Sequence, residues 1–130
     1  MHRESHPYFA VNDLKMNVKL LKSKIHRATI TTSDLNYVGS IGIDEDLMDA
    51  AGMFNWEKVH VFNINNGERF ETYVIKEKRG SGIVGVYGAA ARKVAVGDLV
   101  IVAAYASMSV EEAKNFQPAI AIPDASNHLK

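Results

Sequence analysis

A small, mainly β barrel carrying short helices is the fold class these residues predict, and three observations predict it. From Lys22 onward, short β-branched runs recur with turn residues between them. Only two stretches carry the polar cap that starts a helix. No repeat, low-complexity tract or linker divides the 130 residues, so every element must close around one core. Closing the sheet on itself removes the exposed edges that an open one would leave.

Taken in chain order, residues 1–19 have no sustained period. They read as an N-terminal extension outside the fold, because Met16 offers a natural start; residues 20–130 read as a single domain. KSKIHRATITT reads as a strand, with Ile25, Arg27, Thr29 and Thr31 on one side and His26, Ala28, Ile30 and Thr32 on the other. Asp44 can cap a helix over EDLMDAA, with Leu47, Met48 and Ala51 on one face and Gly52 as its left-handed stop. In VHVFNINNGERFETYVI, Asn66-Gly67 suits the positive φ values of a tight hairpin whose return strand carries Arg69, Thr72 and Tyr73. IVGVYG and DLVIVAAYA read as further strands on either side of Gly88-Ala89-Ala90-Ala91, and Ser109 with Glu112 forms a capping box for VEEAKN.

Composition excludes several function classes. Fifteen basic residues balance fifteen acidic ones, which removes any global electrostatic drive toward nucleic acid or an anionic membrane; neither is expected as a partner. With no cysteine, thiolate chemistry and cysteine-rich zinc sites are excluded, and a reducing cytoplasm is compatible. No apolar run approaches the roughly 20 residues of a bilayer span, so a soluble, cytoplasmic protein is expected. His2, His6, His26, His60 and His128 follow no metal-ligand spacing, and no metal is expected. No G-x-S-x-G elbow surrounds Ser40, which argues against a Ser/His/Asp hydrolase.

The chemistry enters through several blocks in register. SKIHRATIT, DLNYVGSIGIDEDLMDAAG, NNGERFETYVI, RGSG, GAAARKV and VGDLVI, spread over Leu20 to Asp124, resemble the pyruvoyl-dependent aspartate 1-decarboxylase family in order and spacing. The resemblance implies a double-psi β-barrel, assembled as a homotetramer with sites between neighbouring subunits. It also implies a proenzyme that cuts itself between Gly39 and Ser40. Ser40 Oγ attacks the Gly39 carbonyl in an N-to-O acyl shift, elimination releases the Gly39 carboxylate, and hydrolysis with loss of ammonia leaves a pyruvoyl group at residue 40. That covalent cofactor forms a Schiff base with L-aspartate and acts as electron sink in its decarboxylation to β-alanine, a precursor for pantothenate and coenzyme A. Beside L-aspartate and its own copies, an accessory maturation protein of unassigned identity is a further possible partner for such a proenzyme.

Site residues follow from the same resemblance. Thr72 matches a threonine of processing, whose hydroxyl can donate to the oxyanion at Gly39. Tyr73 matches the acid that protonates the carbanion left by CO2. Arg69 matches an arginine that pairs with a substrate carboxylate. Lys24 and His26 match a K-x-H pair and share one side of an ideal strand. Tyr37 and the backbone of Gly88, Ala89 and Ala90 match residues closing the site. Glycine before Ser40 is expected to permit strained or left-handed backbone there. One position departs from the family: Tyr87 stands where asparagine is usual, exchanging a compact carboxamide for one hydroxyl on a large ring. Two other readings remain: an uncleaved or impaired proenzyme of the same fold, and a non-enzymatic β-barrel binding module in which GS and GAAA are only turns.

Overall fold

The computed structural model describes residues 16–130, so residues 1–15 of the expected extension lie outside the described residues. Eight strands follow one another as β1 (Asn17–Thr29), β2 (Thr32–Asp34), β3 (Ser40–Asp44), β4 (Lys58–Asn63), β5 (Arg69–Glu77), β6 (Val84–Tyr87), β7 (Leu99–Ser109) and β8 (Ala119–Ala121). Helix α1 (Glu45–Ala51) follows β3, a 3₁₀ segment (Gly88–Lys93) follows β6, and α2 (Val110–Ala113) follows β7. The chain is thus mainly β with short helices, as the sequence predicts. β1 begins at Asn17 and runs from the stretch set aside as an extension into the domain. No helix among the described residues is long and apolar enough to cross a membrane.

The strands form one sheet in the order β2-β6-β3-β5-β4-β7-β1-β8. β1 and β2 stand far apart in that order, yet only Ile30 and Thr31 separate them in the chain. The sheet therefore curls until this short link spans the gap. Ile30 N–H donates to Asp98 O and Thr31 N–H to Val84 O, both at 2.8 Å, so the link bonds to the β7 side and the β6 side at once. Inside lie Ile25, Ile41, Ile43, Val61, Val86 and Val102, all fully buried. Each such side chain contributes about 1.5–3 kcal/mol of burial free energy.

Two local expectations are corrected. The alternation expected through KSKIHRATITT breaks, because a β-bulge lies between Ile25 and Ala28 and Arg27 takes φ +67°. The extra residue turns Ala28 to the same interior as Ile25 and Ile30, all three fully buried. The β4–β5 hairpin forms, but its loop is residues 64–68 and not a two-residue turn. The Asn63 and Asn66 carboxamide oxygens accept from Asn65 and Glu68 N–H, which stabilises the longer loop, and Gly67 supplies φ +77°.

The caps form as expected. Asp44 accepts from Asp46 N–H at 2.9 Å, Gly52 ends α1 at φ +68°, and Leu47, Met48 and Ala51 are buried. Asp44 also accepts from Gly80 N–H at 3.0 Å and Gly82 N–H at 2.8 Å, so one buried carboxylate ties the RGSG loop to the end of β3. Arg79 reinforces that tie from outside by donating to Asp46 and Asp49. The Ser109–Glu112 capping box is present over a single turn, α2.

Candidate active site

The Gly39–Ser40 bond lies where an open loop enters a buried strand. Tyr37 is 65% exposed and Val38 85%, whereas Ser40 is 7% exposed. Asp34 starts the loop by accepting from Asn36 N–H at 2.9 Å, an Asx turn. Opposite it runs the start of the 3₁₀ segment. A Cβ on Gly88 would fall 2.6 Å from Gly39 Cα and 3.2 Å from Tyr37 O, and Gly88 has φ +76°. Only glycine fits at 88.

Gly39 itself differs from expectation. It is absent from the positive-φ residues, and a Cβ there would meet Tyr87 O at 3.5 Å, an ordinary contact. The special backbone geometry expected at Gly39 belongs to its neighbour across the gap, Gly88.

Ser40 stands opposite Tyr87 across the β3–β6 ladder. On its other side β3 runs parallel to β5, and the paired stretch opens at Ile41 beside Val74, one residue after Ser40 and one after Tyr73. Ile41, Ile43, Val74, Val84 and Val86 fill the interior. By the two-residue period, Ser40, Tyr73 and Tyr87 therefore share the opposite face. Tyr73 is half-buried and stacks on Trp56 with ring centroids 5.7 Å apart. Beyond Gly88, Ala89 is exposed and Ala90 half-buried, so small side chains line this rim.

The remaining expected residues are not brought to Ser40 within one chain. Lys24 and His26 lie on β1, four strands along the sheet order from β3. Burial, and then the charges of Lys24 and Arg27, hold the His26 imidazole below its usual pKa. Its Nδ1 is buried without a hydrogen-bond partner, and the residue lines a cavity of about 290 Å³ with Thr29, Leu99, Pro123 and Asp124. Arg69 shares the strand and face of Tyr73, but three residues of β structure lie between them, a separation of roughly 13 Å. Its guanidinium lies 4.6 Å from the Phe62 ring centroid, beside a cavity of about 140 Å³.

Sequence reasoning missed two contributors. Glu77 accepts a hydrogen bond from Tyr87 Oη at 3.0 Å, and Trp56 backs Tyr73. Neither falls in a motif block singled out for its chemistry, and their partners are distant enough in sequence that no local period announces them.

The aspartate decarboxylase family model matches residues 16–130, the whole described chain. The chain belongs to that family. Curated relatives of aspartate decarboxylase name agree over nearly their full length. An aspartate 1-decarboxylase of Cytophaga hutchinsonii is 60% identical over 114 residues, covering 88% of this chain and 99% of that protein. One of Phocaeicola vulgatus is 59% identical over 111 residues, covering 85% and 96%. Among solved structures, a rationally designed double-psi barrel protein overlaps 59% of this chain and 90% of its own at 20% identity, with a TM-score of 0.45. The decarboxylase family resemblance read from the motif blocks is thereby borne out.

Proposed function

We propose that this chain is a self-processing aspartate 1-decarboxylase that converts L-aspartate to β-alanine and CO2, and that Ser40 is the residue from which its pyruvoyl group is made. The observation that carries the reading is the family match together with the seating of the Gly39–Ser40 bond, which has the Gly88 backbone against Gly39 on one side and leads on the other into the ladder with β5, the strand that carries Thr72 and Tyr73. The residues fit the group. A hydroxyl and the carbonyl preceding it are adjacent in sequence, and a backbone segment without side-chain bulk faces them.

Maturation uses this chain's own atoms. Ser40 Oγ adds to the Gly39 carbonyl, the C–N bond breaks, and an ester replaces the amide while the amine takes the proton. Thr72, on the strand paired with β3, supports the developing oxyanion by donating its hydroxyl. Removal of the Ser40 α-proton then expels the Gly39 carboxylate, and water releases ammonia. The pyruvoyl group supplies an electrophilic ketone conjugated to a second carbonyl, which takes up the electron pair freed as CO2 departs.

The other residues bind and move protons. Tyr73, on the face shared with Ser40, holds the proton returned to carbon. Arg69 grips a substrate carboxylate through its planar fork, and Lys24 adds a second positive charge. His26, kept neutral by burial and by Lys24, orients the substrate without competing for its carboxylates. Because one chain separates these groups from Ser40, a neighbouring copy completes each site, in keeping with a homotetramer. The exposed apolar side chains of the cleavage loop, Tyr37 and Val38, and of the segment after α1, Phe54 and Trp56, support such an assembly. The enzyme works in the cytoplasm, feeding β-alanine into pantothenate and coenzyme A synthesis.

Ser40→Ala tests the reading. It is expected to keep its fold, remain one uncleaved chain and form no β-alanine from aspartate. Cleaved chains or persistent β-alanine formation in this variant would overturn it.

A further inference from the structure

On the face that carries Ser40, two glycines stand opposite each other: Gly42 on β3 pairs with Gly85 on β6. The space that their side chains would fill is occupied. A Cβ on Gly42 would collide with the Glu77 carboxylate, and one on Gly85 would collide with Tyr87 Oη and Thr32 Cγ2. Tyr87 thus folds back along its own strand over Gly85. Glu77 lies over Gly42, and the two meet in a 3.0 Å hydrogen bond donated by Tyr87 Oη. The far side of the Tyr87 ring meets Tyr37, with centroids 5.7 Å apart at 43°. Tyr37 is two residues before Gly39.

We propose that Glu77 is a positioning residue: by holding Tyr87 Oη over the Gly42–Gly85 floor, it turns that hydroxyl away from the Gly39–Ser40 bond and sets the Tyr87 ring as a wall that fixes Tyr37 and the cleavage loop. The four residues form one device. Tyrosine at 87 needs the missing side chains at 42 and 85 for room, and it needs Glu77 to keep its hydroxyl from the reacting carbonyl. Burial first, then the Glu77 hydrogen bond and charge, push the Tyr87 hydroxyl up to about 12, so it stays a protonated donor across the working range of a cytoplasmic enzyme. Asp34 and Tyr37 also face it and act in the same direction.

The functional consequence rests on Ser40 being the processed residue, so the test separates the two. The latch is read without chemistry in the Ser40→Ala chain, through the NMR shifts of the Tyr37 ring protons, which the facing Tyr87 ring displaces. Glu77→Ala and Gly42→Ala are expected to move those shifts toward free-tyrosine values. Glu77→Gln retains an acceptor oxygen and should leave them in place. Unchanged shifts in Glu77→Ala and Gly42→Ala would overturn the latch, whatever Ser40 does.

The consequence is read in the processing chain. Glu77→Ala and Tyr87→Phe should each slow cleavage by about tenfold, the scale of one lost hydrogen bond at 1.4 kcal/mol per tenfold. The double variant should be no slower than either single, because both remove the same contact. Glu77→Gln should restore the parental rate. Parental cleavage rates in both single variants, or effects that multiply in the double, would overturn the role in processing. Should Glu77→Ala fail to fold, Gly42→Ala and Tyr87→Phe carry the comparison, since the first meets only the flexible Glu77 side chain from Cγ outward and the second removes one oxygen.

Discussion

Two glycines meet at the Gly39–Ser40 bond, where cleavage is proposed, and packing demands only one of them. Gly88 has φ +76° and backbone 2.6 Å from where a Cβ would sit, so Gly88→Ala must push the 3₁₀ segment off the Gly39 turn. Gly39 has ordinary backbone and room for a methyl group. The proposed processing supplies the reason for its identity, since a side chain beside the carbonyl would crowd the incoming Ser40 hydroxyl. Gly39→Ala is expected to keep its unfolding free energy within about 0.5 kcal/mol of the parent, as for a substitution without a clash. It should slow cleavage measurably. Gly88→Ala should lose both stability and cleavage. Equal loss of stability in the two variants, measured by denaturant unfolding, would contradict this division. The motif block made the Gly-Ser pair legible, but not which glycine the backbone requires, because that depends on two segments brought together across the barrel.

At the scale of elements, Asp44 joins β3, α1 and the RGSG loop through three backbone donors. Burial works to raise its pKa, but the N–H groups of Gly82, Asp46 and Gly80 outweigh it and hold the carboxyl below the usual carboxylate range. A carboxyl depressed on folding stabilises the fold above its unfolded pKa of about 3.9 and loses that contribution as pH falls through the lower folded value. The parent should therefore lose stability on acidification below about pH 4, and Asp44→Ala should lose about 2–4 kcal/mol at neutral pH while showing a flatter acid limb. An acid limb of unchanged slope in Asp44→Ala would assign the effect to other carboxylates. The sequence announced this cap, since Asp44 precedes a short amphipathic run ended by Gly52. It did not announce the β1 bulge, because His26-Arg27 reads as unbroken alternation and only the ladder with β7 reveals the extra residue. The Asn66-Gly67 signal gave the hairpin, while the asparagine side chains lengthened its loop.

For the whole molecule, the two-residue link Ile30–Thr31 closes the barrel, and the C-terminal segment seals the seam. Asn127 is buried and accepts from Thr29 N–H while donating to Thr29 O and Gly82 O, all at 2.8 Å. Closure puts Ser40 and the β1 pair Lys24 and His26 on separate strands of the same barrel. The family was legible through the motif blocks, but the strands on which the expected site residues stand were not, since spacing along a chain does not say how far apart the barrel places them. In the proposed enzyme, processing draws on one chain and substrate binding on more than one. Arg69→Ala should accordingly leave cleavage intact and lower kcat/KM for aspartate by about 10–100-fold, the scale of a lost charge-assisted pair. Loss of cleavage in that variant would assign Arg69 to maturation. The measurement that tests the account most directly is the intact mass of the denatured parent protein. The account predicts two chains, residues 1–39 and 40–130, the second lighter by one ammonia than a serine-headed chain. A single unbroken chain, or a second chain that begins with serine, would contradict it.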